Sequence, residues 1–173
     1  MIYSPPLKIM PDIPTGNHFG SFGVKRKFSY HAGVDLYTKE GSDVYAIEPG
    51  IITEINCFSG PSDGSPWWNN TDCICIEGYS GVIVYGEMSI PKAIQAGNKI
   101  KQGNYLGKIK RILKKDKGKP MSMLHIMLLE HGKREDSIES WKHDKPKPEG
   151  LLDPTAILMQ CMINYALMLQ KAI

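Results

Sequence analysis

The middle of the chain is a succession of short apolar stretches broken by turn residues. Residues 44–48, 51–58, 73–77, 82–88, 105–109 and 124–130 are rich in Val, Ile, Tyr and Cys. They are separated by Glu48-Pro49-Gly50, Gly78-Tyr79-Ser80-Gly81, Gly97-Asn98 and Gly103-Asn104. Branched and aromatic side chains suit a pleated, half-buried surface, and the intervening Gly, Pro and Asn supply turn geometry. No long helical pattern intervenes, so the links are too short for parallel crossovers and the pattern predicts a mainly antiparallel sheet. The chain reads as one mainly β domain over 1–150, followed by a C-terminal helix over 151–173.

The helix announces itself at Leu151-Leu152-Asp153-Pro154, an N-cap followed by proline at the first helical position. From there to about Ile173, Ile157, Leu158, Cys161, Met162, Tyr165, Met168, Leu169 and Ala172 form a wide apolar stripe. Ile163, Ala166 and Leu167 widen it beyond one face. The stripe predicts packing on the back of the sheet, or an interface with a second copy or another protein. Polar Gln160, Asn164, Gln170 and Lys171 argue against a membrane span.

Composition adds bounds. At 173 residues, 42% hydrophobic and 23% charged, the chain is an ordinary globular protein with room for one proper core. A net charge of +3 is mild, and the basic clusters at 25–27 and 108–119 read as solvated faces. Nucleic acid is therefore not an expected partner, although such faces favour contact with an anionic polymer. The four cysteines, Cys57, Cys73, Cys75 and Cys161, contain no CxxC pair and read as buried small apolar residues in a reducing compartment. The N-terminus lacks the basic and apolar regions of a signal peptide, so cytoplasmic synthesis is expected, with release by another route if the target is extracellular.

Two long loops stand out. Residues 59–72 hold adjacent Trp67 and Trp68 in a Gly/Pro/Ser/Asn-rich stretch; the pair reads as one ring exposed to a sugar or peptide and one plugging the core. A small β domain binding carbohydrate through these rings, without metal, is one reading of the chain. Residues 131–150 are charged and rich in Pro and Lys, and read as a surface excursion.

The strongest chemical signal lies elsewhere. His31-Ala32-Gly33-Val34-Asp35 offers an imidazole and a carboxylate, and His125 is a lone histidine in the apolar run 121–129. Two imidazoles and one carboxylate are the ligand set of a zinc site with an open fourth position. A single histidine on an apolar strand otherwise reads as a hydrogen-bonded core residue.

The order of segments resembles the LytM/lysostaphin-type zinc metallopeptidases, which cut peptide cross-links in bacterial peptidoglycan. HFGSFGVKRK is similar to that family's opening Phe-Gly segment with its following Arg, HAGVD to its HxGxD, and GSDVYAIEPGIIT to the strand pair after it. VIVYGEMS falls at its Tyr-x-His-Leu, GNKIKQGNYLGKI at its glycine-spaced segment, SMLHIML at its His-x-His and LLDPTAIL at its closing Asp-Pro. The resemblance implies a LytM-type β domain and Zn²⁺ held by His31, Asp35 and His125. It also implies a peptidoglycan peptide as substrate, with Tyr85 in the Tyr-x-His element.

Two positions depart from that pattern. Glu87 stands where the family has a catalytic histidine, and Met123 where it has the first histidine of His-x-His. A glutamate can serve as general base in a zinc peptidase, so Glu87 is the candidate for that role, with Trp67 and Trp68 as substrate contacts. Tyr85 or His131 is a candidate to replace the donor lost at Met123. The alternatives are a pseudo-peptidase in which Glu87 closes the fourth zinc position, serving as a binding or regulatory module, and a chain without metal.

Overall fold

The computed structural model describes residues 3–115 and 122–171. Met121, positions 116–119 of the second basic cluster, and Ala172 and Ile173 of the predicted helix lie outside the described residues.

The strands are β1 (Val34–Tyr37), β2 (Asp43–Tyr45), β3 (Gly50–Ser59), β4 (Thr71–Glu77), β5 (Val82–Ser89), β6 (Lys99–Ile100), β7 (Tyr105–Ile109), β8 (Met123–Leu129) and β9 (Leu151–Leu152). They form a single sheet in the order β1-β8-β5-β4-β3-β6, with β7 joining β5 to β2 and β9 on β8. The pairings are antiparallel, as the short links require.

The two central strands are buried on both faces, which is why their sequences are apolar without alternation. On β8, Leu124, Ile126 and Leu128 face one cluster, and Met127 and Leu129 face another. On β5, Ile83 and Tyr85 join the first cluster, Val82 and Val84 the second. The first cluster forms the back of the sheet and is completed by Leu158 and Cys161 of helix α1 (Thr155–Lys171). Burial of a residue such as Leu158 contributes about 1.5–3 kcal/mol toward docking the helix on the sheet.

The helix starts as its sequence predicts: Asp153 Oδ1 accepts the N–H of Thr155 at 2.8 Å, and Leu158 N–H bonds to the Pro154 carbonyl at 3.1 Å. Asn164, expected on the polar side, is buried and donates to the Tyr3 carbonyl at 2.7 Å, tying the helix to the N-terminal segment. Beyond it Ile163, Leu167, Met168 and Leu169 are exposed. Among the described residues no helix is long and apolar enough to cross a membrane.

Several elements differ from the sequence expectation. The stretch 44–48 is a strand only to Tyr45. Glu48 is buried, and its carboxylate accepts Ser80 N–H at 3.0 Å and Ser80 Oγ–H at 2.8 Å, so it anchors a turn. The loop 131–150 is not wholly a surface excursion. Trp141 packs on Phe22 at 5.7 Å and Tyr30 at 5.1 Å between ring centroids, and Tyr30 N–H bonds to its carbonyl at 2.7 Å. This segment and residues 22–31 together roof the front cluster. Cys73, Cys75 and Cys161 are buried as expected, but Cys57 is exposed. The hydrogen bond with Cys73 and burial push the Cys75 thiol up.

Candidate metal centre

Antiparallel register assembles the site. Asp35 on β1 lies opposite His125 on β8, and His125 lies opposite Gly86 on β5. His31 precedes β1, in a segment held by its N–H to the Val24 carbonyl (2.9 Å) and by Gly23 N–H to its own carbonyl (2.8 Å). Side chains 123, 125, 127 and 129 alternate onto the front face, so His125 emerges beside Met127, away from the helix.

His31, Asp35 and His125 are all buried, and their ligand atoms lie within 4.8 Å of one another. His31 Nε2 stands 3.2 Å from both Asp35 Oδ1 and His125 Nδ1, and His125 Nδ1 is 2.7 Å from Asp35 Oδ1. At the far side of its ring, His31 Nδ1 is 2.9 Å from the Ser21 carbonyl, which can only accept. That nitrogen is therefore the donor, and in the neutral ring Nε2 carries a lone pair aimed at a carboxylate oxygen. Facing lone pairs at 3.2 Å require a proton or a metal cation between them. Ligand atoms of a tetrahedral zinc site stand about 3.3 Å apart, given metal–ligand distances near 2.0–2.1 Å. The residues present fit such an ion, and Ser21 supplies the outer contact that fixes a ligating imidazole.

Electrostatics agree. Burial opposes ionisation of Asp35, yet hydrogen bonds and charge from His125 and His31 outweigh it and hold the carboxyl well below its usual range. Burial also makes His125 less basic than an ordinary imidazole, although Asp35 pulls the other way. A carboxylate and a neutral imidazole are the ligating forms.

Arg26, inside a cluster read from sequence as a solvated face, instead bonds Asp35 Oδ2 and the Phe19 carbonyl. The Phe-Gly-…-Arg pattern was the available signal, but nothing in the spacing showed that the guanidinium meets Asp35. Tyr37, two residues beyond Asp35, has its phenol pushed up by burial and by the Asp35 charge, which places it at the same face.

Two glycines make the packing possible. A Cβ on Gly33 would lie 2.4 Å from the Ile126 carbonyl oxygen and 2.6 Å from His125 Nε2. A Cβ on Gly86 would lie 2.5 Å from the Phe58 ring, which packs on His125 at 5.3 Å between centroids. Gly33→Ala is expected to displace His125, costing about 1–3 kcal/mol and most of the metal content. Thermal unfolding with a metal assay reads both.

Glu87 sits on a β-bulge. Tyr85 pairs with Ile74 and Met88 with Asp72, so three residue steps on β5 match two on β4. Glu87 has φ 64°, the one positive φ of a non-glycine among the described residues. The bulge leaves Tyr85 and Met88 both in the back cluster and sends Glu87 to Ser59 and Thr71. Its Oε2 accepts the Ser59 hydroxyl at 2.9 Å and the Thr71 hydroxyl at 2.7 Å. Thr71 alternates with the front-facing Cys73 and Cys75, so Glu87 shares the face of His125. It is not among the three residues whose ligand atoms converge.

Tyr85 is not brought to the site. It is fully buried on the opposite face, its oxygen accepts the Ile47 N–H at 2.9 Å, and burial pushes its phenol up. A role in catalysis is thereby corrected to one in the core. Tyr85→Phe is expected to cost about 1–3 kcal/mol through the orphaned Ile47 N–H and to leave metal content intact, as denaturant unfolding and zinc analysis would show. His131 is also elsewhere: it is exposed and contacts Glu77 at 3.4 Å. Met123 lies buried on the front face two residues from His125. Trp67 is exposed and Trp68 half-buried.

Residues 29–137, well over half of the chain and containing all three converging side chains, match the model of peptidase family M23. The chain belongs to peptidase family M23. Among solved structures it is similar to CbpA from L. salivarius REN, at 18% identity and TM-score 0.60, covering 94% of this chain and 98% of that one. It is also similar to the antimicrobial peptidase lysostaphin from Staphylococcus simulans, at 18% identity and TM-score 0.59 over 92% of this chain and 55% of lysostaphin. The isolated lysostaphin catalytic domain gives TM-score 0.54 at 18% identity, over 82% of this chain and 90% of that domain. These likenesses are likenesses of fold. No curated protein sequence matches the chain. In this M23 chain the convergence of His31, Asp35 and His125 stands on its own geometry.

Proposed function

We propose that the chain is a zinc-dependent hydrolase of peptide bonds in bacterial peptidoglycan, with a modified catalytic centre. The observation that carries this is the convergence of His31 Nε2, Asp35 Oδ1 and His125 Nδ1, with Ser21 fixing the tautomer. Zinc bound there, with water in its fourth position, would lower the pKa of that water to about 7 and polarise a carbonyl. The family and the lysostaphin-like fold support a wall peptide as substrate.

The chain's own residues divide the remaining work. Arg26 holds Asp35 Oδ2, so the other oxygen keeps its orientation. Glu87, steered to the front face by its bulge, takes the proton of the attacking water and passes it to the leaving amine. Ser59 and Thr71 orient its carboxylate. Met123 offers no hydrogen bond, and loss of one oxyanion donor typically lowers rate by about 10²–10³. Trp67 and Trp68 contact substrate beyond the scissile bond.

One observation favours a second reading. The carboxylate of Glu87 already accepts the Ser59 and Thr71 hydroxyls, an engagement that suits an inactive, metal-bearing module that binds wall peptide without cutting it. Exposed Ile163, Leu167, Met168 and Leu169 would then receive a second copy or another protein. Zinc per chain, followed by incubation with purified peptidoglycan and detection of new amino groups, decides. One zinc and released amines support the hydrolase, one zinc without amines supports the module, and no zinc removes both.

A further inference from the structure

The loop between β3 and β4 and the segment after β7 line a half-open cavity of about 460 Å³. Its walls are Trp67, Trp68, Leu113, Lys114 and Lys115. We propose that this cavity is a subsite reading a carboxylate on the substrate, and hence that the chain prefers acidic stem peptide over neutral bridge peptide. The inference rests on the wall-peptide reading above and deepens it.

The cavity is built. Asn69 N–H bonds to the Ile112 carbonyl at 2.7 Å, Asn69 Nδ2 to the Arg111 carbonyl at 2.9 Å, and Trp68 bridges to Leu113. Lys114 Nζ closes the rim on the Pro66 carbonyl at 2.6 Å. Two segments more than 40 residues apart are thus latched together, so a ligand need not order them first.

The cavity is also linked to Glu87 through the chain. The β3–β4 loop leaves at Ser59 and returns at Thr71, whose hydroxyls hold Glu87, and Lys110 N–H bonds to the Glu87 carbonyl at 2.9 Å. Both walls therefore begin at residues hydrogen-bonded to Glu87.

Its chemistry selects. Trp67 and Trp68 offer apolar faces, Lys114 and Lys115 are exposed cations, and none of the described lining residues is acidic. A run of glycines would leave the ammonium groups without a counter-charge and the indoles without an apolar partner. A stem peptide carries alanine methyls and, where its γ-linked D-glutamate is not amidated, a free α-carboxylate. That combination matches the lining.

The test is a binding titration followed by tryptophan fluorescence, using the whole chain. The probes are a synthetic stem peptide with γ-linked D-glutamate, the same peptide with that carboxylate amidated, and pentaglycine. The acidic peptide is expected to bind about two- to fivefold more tightly than the amidated one, the gain declining with salt. Lys115→Ala, which leaves the Pro66 latch intact, should remove much of that preference. Trp67→Ala should weaken both stem peptides about tenfold, read by calorimetry. Equal affinity for acidic and amidated peptide, tighter binding of pentaglycine, or a preference that survives Lys114→Ala/Lys115→Ala overturns the subsite. Binding tests the subsite, and turnover, read separately, tests the hydrolase. A chain that discriminates the peptides but cuts neither keeps the subsite and loses the hydrolase; one that cuts both alike does the reverse.

Discussion

Asp35→Ala is expected to empty the metal site and abolish turnover. The substitution removes the oxygen on which His31 and His125 converge, at 3.2 and 2.7 Å, leaving two imidazoles with no anionic ligand. It also strands Arg26, whose guanidinium bonds the other oxygen. Because Arg26 is partly solvated, that second loss costs about 1–3 kcal/mol rather than the larger penalty of a fully buried charge. Metal analysis after gel filtration should show well below one zinc per chain, with a lower melting temperature. A full equivalent of zinc on the Asp35→Ala protein would sink the assignment of the site. Asp35→Asn separates the effects, since the amide keeps an oxygen toward the histidines but not the charge.

The second large effect belongs to Glu87. Glu87→Gln retains shape and an acceptor for the Ser59 and Thr71 hydroxyls, so fold and zinc content should survive. The amide cannot take a proton from water, and turnover should fall by about 10²–10⁴. Two other outcomes are informative. Unchanged turnover would exclude Glu87 as the base, and loss of zinc would mark it as a fourth ligand.

Much of the fold was readable because the central strands are apolar and the turns carry their own chemistry. The stretches at 51–58, 73–77, 82–88, 105–109 and 124–130 became β3, β4, β5, β7 and β8 with small shifts of boundary. β1 escaped because it is four residues long and spends Asp35 on chemistry, which breaks its apolar pattern. β6 and β9 are two residues each, too short for any periodicity.

The ligand trio was readable from side-chain types, and register then supplied what spacing could not: residues 35 and 125 are direct cross-strand partners. The faces of Tyr85 and Glu87 were not readable. Strict alternation puts both on one side, and only the pairing of Met88 with Asp72 reveals the extra residue that separates them. Arg26 and Trp141 were hidden for a simpler reason. Each sits among lysines or other charges, and local composition outvoted a single long-range contact.

The left-handed backbone at Glu87 bears on which side chains the position accepts. Among residues with side chains, asparagine, aspartate and histidine visit that conformation far more readily than glutamate does. Position 87 therefore offers a backbone that a histidine would adopt more readily than a glutamate, and the Ser59 and Thr71 hydroxyls can serve a ring nitrogen as well as a carboxylate. Glu87→His would be a change of side chain on an unchanged main chain.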